Sequence, residues 1–156
     1  MAFAAFYKKK TYVSFGEVFQ SFFLLTKPTI TLLVVISTLP GILLASTDFP
    51  SPWVLVGGLL GATLASASAA VFNQVLEAKI DQQMERTQTR SLPKGKVTSV
   101  QAVSFGGVLL GFALFLLYYL TTPLAAIVAL AGHLFYVVIY TMYLKHKTAQ
   151  NQTTNR

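Results

Sequence analysis

The sequence predicts an all-α integral membrane protein with about four transmembrane helices. Hydrophobic residues make up 54% of its 156 residues and charged residues 11%, whereas about a quarter of a soluble domain is charged. Asp, Glu, Lys and Arg are absent from three long segments, 28–47, 49–76 and 97–144. Each segment reaches the length of about 20 residues that crosses the hydrocarbon core of a bilayer. An ordinary soluble domain is therefore excluded.

The longest uncharged segment has room for two spans, and Pro123 supplies the break between them. Proline fits a first helical turn and disfavours helix at the residue before it. Pro40 lies inside the first span and predicts a tolerated kink. The sequence thus predicts four helices, at about 20–46, 52–76, 98–120 and 123–144.

The second predicted helix is rich in Gly, Ala and Ser. Gly57 and Gly61 form a pair of small residues one turn apart, which allows helix backbones to approach closely in membranes. We therefore predict that this helix is the most crowded of the four, and that its small residues serve packing before any ligand.

The basic residues predict the orientation in the membrane. All twelve Lys and Arg fall in or next to three segments, 1–19, 77–97 and 145–156. The positive-inside rule makes these a cytoplasmic N-terminal segment, a cytoplasmic loop and a cytoplasmic tail around the transmembrane region 20–144. The first residues do not resemble a transit peptide, which favours a bacterial cell inner membrane over a mitochondrial one. Orientation and attraction to anionic membrane lipid account for the net charge of +7 without a nucleic-acid partner.

The sequence predicts neither cysteine chemistry nor a signal peptide. The chain has no cysteine, which excludes disulfides, thiolate catalysis and cysteine-ligated metals within it. Its first residues lack the order of basic region, apolar run and small-residue cleavage site that marks a signal peptide.

The central loop and the helix before it carry a regular set of polar residues. Asn73, Glu77 and Asp81 are spaced four apart, so on a continuing helix they line one face. Such oxygen ligands suit Mg²⁺, which uses few carboxylates and completes its shell with water and phosphate oxygens. Arg86 and Arg90 follow one turn apart and match phosphate geometry. The alternative from spacing alone is a solvated loop with ordinary charge pairs.

The stretch NQVLEAKIDQQMERTQTR closely resembles the first Asp-rich motif of the UbiA-type intramembrane prenyltransferases, and most closely that of the protohaem farnesyltransferase branch. The family pattern, N-x-x-x-(D/E)-x-x-x-D-x-x-M-x-R-T-x-x-R, is met by Asn73, Glu77, Asp81, Met84, Arg86, Thr87 and Arg90. Two other segments resemble the family: Thr26, Lys27 and Pro28 before the first span, and Tyr140, Lys145, Thr148 and Asn151 after the fourth.

The resemblance implies the N-terminal part of a nine-helix bundle. The family carries a second Asp-rich motif in its other half, which this sequence does not contain. The tail after Asn151 departs from the apolar fifth helix of the family. A truncated form is therefore expected, from a frameshift, a split gene or a fragmentary gene model, and a separately encoded second half or an oligomer is a possible partner.

The resemblance also implies a reaction and its site residues. The diphosphate of farnesyl diphosphate leaves, a vinyl group of haem B attacks the farnesyl carbon, and water adds to complete the hydroxyethylfarnesyl group of haem O. By this resemblance Asn73, Glu77 and Asp81 would be catalytic and bind Mg²⁺. The diphosphate would be bound by Arg86, Arg90 and Lys145. The alternatives are a related enzyme with a quinone or chlorophyll-precursor acceptor, and an inactive four-helix fragment.

We predict structural roles for the other notable polar and aromatic residues of the spans. His133 is a candidate haem ligand by chemistry, but a lone histidine within a span is more often a hydrogen-bonded packing residue, and we assign it no haem role. Tyr140 and Tyr143 lie near a predicted interface, where tyrosines commonly anchor helices.

Overall fold

Helices account for nearly all of the chain that the structure describes. The computed structural model describes residues 15–81, 91–92 and 94–138. Its helices are α1 (Phe15–Leu25), α2 (Pro28–Ala45), α3 (Pro52–Asp81), α4 (Ser99–Leu120) and α5 (Pro123–Leu134). A π-helical turn over 135–138 extends α5. Because no strand occurs in these ranges, the predicted all-α class is confirmed.

Three helices are long and apolar enough to cross a membrane. They are α2, α3 and α4, while α1 and the extended α5 are shorter apolar helices. Of the three, α2 is the least buried and α3 the most. The chain is thus a multi-pass membrane protein, and the predicted fourth span is described only as far as Val138.

The first predicted span, 20–46, is wrong in one respect, because it is two helices. α1 ends at Leu25 and α2 begins at Pro28. Lys27 between them has the left-handed backbone values φ 48 and ψ 67, which cost a non-glycine residue about 1–2 kcal/mol. Pro28 contributes to the break, since its ring disfavours the right-handed helical conformation at the preceding residue. α2 then continues through Pro40.

The second predicted helix ends too early at residue 76. α3 continues to Asp81, so that Asn73, Glu77 and Asp81 all lie on one unbroken helix. Neither proline nor a C-terminal glycine interrupts residues 73–81, and nothing in the local chemistry stops the helix at the first charged residue. The limits of α4 agree with the prediction to one residue.

Hydroxyl side chains close the first turns of α3 and α5. Ser51 Oγ accepts a hydrogen bond from the Val54 N–H at 3.3 Å, and Thr122 Oγ1 accepts one from the Ala125 N–H at 3.1 Å. A proline follows each hydroxyl residue, which removes one of the N–H groups that a helix start leaves unbonded. Both helices therefore begin where Ser-Pro and Thr-Pro stand in the sequence.

The tightest packing joins α3 to α4. A Cβ atom added at Gly61 would lie 2.6 Å from Leu117 Cγ, and one at Gly57 would overlap Leu120 Cβ. Deeper in the same interface, Ser68 Oγ donates a hydrogen bond to the Gly106 carbonyl at 2.8 Å. α3 also contacts α1, α2 and α5, which confirms that it is the most crowded helix and that its small residues serve close approach.

The buried core lies at the end of the bundle where α3 finishes and α4 starts. It consists of Leu25, Val71, Leu92, Val97 and Ala102. α1 covers it, with the rings of Phe22 and Phe105 5.0 Å apart in an edge-to-face arrangement. A Lys96–Glu17 ion pair of 3.8 Å lies at the same end, so the start of α1 and the connection before α4 are neighbours.

We predict that Gly57→Ala lowers the free energy of unfolding by about 1–3 kcal/mol, the usual cost of overpacking. The new Cβ would overlap Leu120 Cβ, an atom that no side-chain rotation can move, so α3 and α4 must separate. Equilibrium unfolding in mixed micelles measures the change. Gly111→Ala in α4 is the matched control, because its Cβ meets nothing within 4 Å. Equal effects of the two substitutions would contradict the packing model.

Candidate functional site

The polar residues spaced four apart form a buried row on α3, which we call the polar ridge (Asn73, Glu77 and Asp81). Their side chains are 2%, 7% and 4% exposed, respectively. Asn73 Nδ2 donates a hydrogen bond to Glu77 Oε1 at 2.9 Å. The ridge is thus part of the protein interior, and the alternative of solvated helix decoration is wrong for these residues.

Lys27 brings a positive charge to the ridge from the junction of α1 and α2. Its Nζ donates a hydrogen bond to Asn73 Oδ1 at 2.9 Å. Asn73 in turn donates to Glu77, so a relay of hydrogen bonds joins an ammonium group to a buried carboxylate. The pairing offsets part of the large free-energy cost of burying charge.

A second contact fixes the same junction against α3. Gln74 Nε2 donates a hydrogen bond to the backbone carbonyl of Leu25 at 2.8 Å. Leu25 ends α1, where carbonyl groups lack partners within the helix. Gln74 and Asn73 are adjacent on α3, so together they hold the end of α1 and the side chain of Lys27 in register with the ridge.

An apolar groove of about 370 Å³ runs between α2, α3 and α5, within the usual size range of ligand pockets, about 300–1,000 Å³. Lys27, Ile30 and Val34 line it on the α2 side, and Ala129, Gly132, His133 and Tyr136 line it on the α5 side. The wall from α3 consists of Ala62, Ala65, Ser66, Ala69 and Ala70. Small side chains on α3 leave the room that the groove occupies.

The apolar groove reaches the polar ridge through Lys27, which lines the groove and also contacts Asn73. Ala62, Ala69 and Asn73 are separated by seven and four residues, so they point within about 40° of one another on α3. Glu77 and Asp81 follow further along α3, each turned by about 40° from the residue before it in the ridge. The apolar groove and the acidic ridge are therefore neighbours, with a cation where they meet.

His133 is buried at 7% exposure on α5 and lines the groove. Its ring packs edge-to-face against Phe72, with centroids 5.6 Å apart. Among buried side-chain atoms in the described ranges, His133 Nδ1 is the one without a hydrogen-bond partner. The predicted packing role agrees with the contact to Phe72, although hydrogen bonding does not satisfy both ring nitrogens.

A second cavity, of about 560 Å³, also borders Lys27. Thr29, Gln74 and Ser91 give it more polar walls than the groove has. Lys27 and Ile30 line both cavities. Lys27 therefore adjoins both the apolar groove and a more polar space.

The ridge supplies the oxygen donors that a magnesium ion uses. Within residues 15–81, 91–92 and 94–138, no group of three or more His, Asp or Glu is placed to hold a metal. The ridge instead offers two carboxylates and an amide oxygen in a row on one helix. Such a set fits Mg²⁺ when phosphate oxygens complete the shell. Those residues alone do not form a closed protein cage.

The predicted site residues divide into two groups. Asn73, Glu77 and Asp81 come together as the sequence spacing indicated. The predicted diphosphate ligands Arg86, Arg90 and Lys145 lie outside the described residues. Lys27 was not among the predicted site residues, although the signal was present in its unusual position, a lysine directly before the proline that starts an apolar span.

The apolar helices define a multi-pass membrane protein, and within it an apolar groove lies beside a buried acidic ridge. The chain belongs to the UbiA prenyltransferase family, whose model matches residues 34–155. The matched part contains α3, α4, α5 and most of α2. No solved structure matched the chain.

Among curated proteins, several named protoheme IX farnesyltransferase are similar to this chain. The protein of Paenarthrobacter aurescens is 39% identical over 89% of this chain and 43% of its own length. A protein of Pseudoalteromonas atlantica named protoheme IX farnesyltransferase 2 is 41% identical over 87% of this chain and 45% of its own length. The chain therefore spans less than half the length of the relatives that it matches.

We predict that Lys27 and Asn73 are energetically coupled in the folded protein. A double-mutant cycle of Lys27→Met and Asn73→Leu, measured by unfolding in mixed micelles, is expected to give about 0.5–3 kcal/mol, the range for residues in direct contact. The control cycle pairs Asn73→Leu with Lys96→Met, because Lys96 contacts Glu17 instead. A coupling no larger than that control would argue against the Lys27–Asn73 bond.

Proposed function

We propose that this chain forms the N-terminal part of an intramembrane prenyltransferase that transfers farnesyl from farnesyl diphosphate to a vinyl group of haem B, giving haem O. Family membership supports prenyl transfer. The names of the relatives, protoheme IX farnesyltransferase, support this donor and acceptor. We further propose that the protein lies in a cell inner membrane with its termini and the loop after α3 in the cytoplasm.

The observation that carries this proposal is the continuity of the apolar groove with the polar ridge. A prenyl diphosphate has the same division, with a long apolar chain and a multiply charged head. The groove is lined mostly by aliphatic and small side chains, whereas the ridge holds two buried carboxylates. A substrate lying along α3 would place each of its parts against the matching surface.

The ridge residues would hold the metal that the diphosphate requires. Asn73, Glu77 and Asp81 present an amide and two carboxylate groups along one helix face, and bound Mg²⁺ would neutralise charge on the departing diphosphate. The bond from Asn73 Nδ2 to Glu77 Oε1 orients the carboxylate before substrate arrives. Such preorganisation lowers the reorganisation needed at the time of reaction.

The cations would hold the diphosphate oxygens. Lys27 already lies at the ridge, within 2.9 Å of Asn73 Oδ1. We assign Arg86, Arg90 and Lys145 to the same task by the family motif, since guanidinium groups bind phosphate in a bidentate manner. All four would stabilise negative charge as the carbon–oxygen bond to the diphosphate breaks.

The groove would keep water away from the farnesyl carbon. Ala69, Ala129 and Gly132 line it, and its walls offer few hydrogen-bonding groups. Excluding water protects an electron-poor carbon from hydrolysis until the haem vinyl group attacks. In the working enzyme we propose that the remainder of the family fold closes the groove, supplied by more of the same protein, a separately encoded half or an oligomer.

The direct test is haem O formation in membranes. The chain would be expressed alone and together with the C-terminal part of the Pseudoalteromonas relative, then supplied with farnesyl diphosphate, haem B and Mg²⁺. We expect haem O, detected by mass spectrometry, from the paired halves. Farnesylation of a quinone instead would identify a different acceptor. No product from any pairing would favour an inactive fragment.

We predict that Glu77→Gln or Asp81→Asn lowers haem O formation in this assay by about 100-fold or more, the usual cost of removing one electrostatic group at a reacting centre. Glu17→Gln is the matched control. It removes a carboxylate that is paired with Lys96 at the same end of the bundle, and it should retain activity. Undiminished turnover in either ridge variant would show that the residue does not have the proposed metal-binding role.

A further prediction concerns the length of the prenyl chain. Ala62 lies about 16 Å from Asn73 along α3, at 1.5 Å per residue, and lines the far part of the groove. Ala62→Phe should therefore weaken competition by farnesyl diphosphate more than by geranyl diphosphate, which has one isoprene unit fewer. Competition for a labelled prenyl diphosphate measures both affinities. Equal losses would show that the chain does not lie along this wall.

A further inference from the structure

Lys27 combines three features that together call for an explanation. It is the one non-glycine residue with positive φ in the described ranges. Its side chain borders both the apolar groove and the second cavity. Its ammonium group bonds Asn73 Oδ1 at 2.9 Å. An unfavourable backbone conformation persists only where the surroundings hold it, and such residues cluster at functional sites.

The surroundings of Lys27 do hold it. Gln74 bonds the carbonyl of Leu25 just before it. Thr31 Oγ1 of α2 donates a hydrogen bond to the next carbonyl, that of Thr26, at 2.9 Å. The two carbonyls before residue 27 are thus bonded to α3 and to α2, while the four-carbon side chain of Lys27 has rotatable bonds. A change of rotamer could therefore move the ammonium group without moving the backbone.

The bond to Asn73 places the ammonium on an oxygen atom that a metal would also use. Mg²⁺ binds its oxygen ligands at about 2.0–2.1 Å, and a second cation on the same amide oxygen would experience strong repulsion at such short range. Lys27 and a divalent cation therefore compete for Asn73 Oδ1. The second cavity, bordered by Thr29 and Gln74, provides space beside the ridge for a displaced ammonium.

We propose that Lys27 is a tethered cation that holds the polar ridge when no metal is bound and moves onto the diphosphate when a divalent ion takes its place. This inference rests on the proposed function, since it assumes a divalent ion and a diphosphate at the ridge. It adds an order of events: the ridge exchanges one cation for another, and the ammonium released contributes to substrate binding.

Metal and anion binding, measured apart from turnover, test the inference. The full chain in lipid nanodiscs would be titrated with Mn²⁺ and followed by electron paramagnetic resonance, first alone and then with inorganic pyrophosphate. Without pyrophosphate, Lys27→Met should bind Mn²⁺ more tightly by about tenfold, because a competing charge is gone. At saturating Mn²⁺, the same variant should bind pyrophosphate more weakly by about tenfold.

Three further variants make the comparison specific. Lys27→Gly removes the same charge and suits the positive φ, so it should reproduce both effects and serves where the methionine variant folds poorly. Lys27→Arg keeps the charge and should resemble the unaltered chain. Lys96→Met removes a cation that pairs with Glu17, and it should change neither affinity.

The outcomes separate this inference from the proposed function. If the unaltered chain binds Mn²⁺ and Lys27→Met and Lys27→Gly bind it equally well or more weakly, Lys27 does not compete with the metal and the inference is overturned alone. If no variant binds Mn²⁺ with or without pyrophosphate, the metal site itself is refuted, and the proposed function loses its central support. Opposite changes in the two affinities support the tethered cation.

Discussion

The hydrogen bond between Lys27 and Asn73 is the interaction on which the arrangement of the site depends. It joins the break between α1 and α2 to the last third of α3, the most buried of the three long helices. In surroundings of low polarity such a bond is strong, and a buried polar group without one is costly. Asn73 also donates a hydrogen bond to Glu77, one helical turn further along α3, so the position of the Glu77 carboxylate depends on the same residue. A shift of α1 or α2 would therefore also change the hydrogen bonds of the ridge.

Small side chains on α3 serve two purposes. On one face, glycines allow α4 to approach within reach of backbone contact. On a neighbouring face, the small residues between Ala62 and Ala70 line the groove. Close packing against α4 and the space of the groove both require small side chains, which explains why α3 is so rich in Gly, Ala and Ser. The acidic residues follow where this pattern stops.

Much of the helical layout was predictable because charge and proline mark it in the sequence. Pro123 correctly separated α4 from α5, and the same reasoning applied to Pro28 would have separated α1 from α2. The ridge was predictable from spacing because α3 continues to Asp81 without interruption. What spacing left undecided was burial, since a row of acids on a helix fits a solvated face as well as an interior one. Whether such a row is buried depends on which other helices pack against it.

The role of Lys27 was harder to predict for a physical reason. Its contact with Asn73 joins residues 46 positions apart, and it depends on a left-handed backbone that sequence preferences disfavour for lysine. The unbonded nitrogen of His133 was likewise beyond the sequence, because a lone histidine normally finds partners for its polar atoms. In both cases tertiary packing overrides the local tendency.

The hydroxyl caps of α3 and α5 have a consequence for insertion into the bilayer. Both helices start in short connections at the end of the bundle opposite the ridge, and in the orientation that we propose these connections cross the apolar layer during biogenesis. Free N–H groups at a helix start are costly in lipid. Ser51 and Thr122 each satisfy one such group, and Pro52 and Pro123 each remove another. Each of these two connections therefore has fewer unbonded N–H groups that must enter the apolar layer.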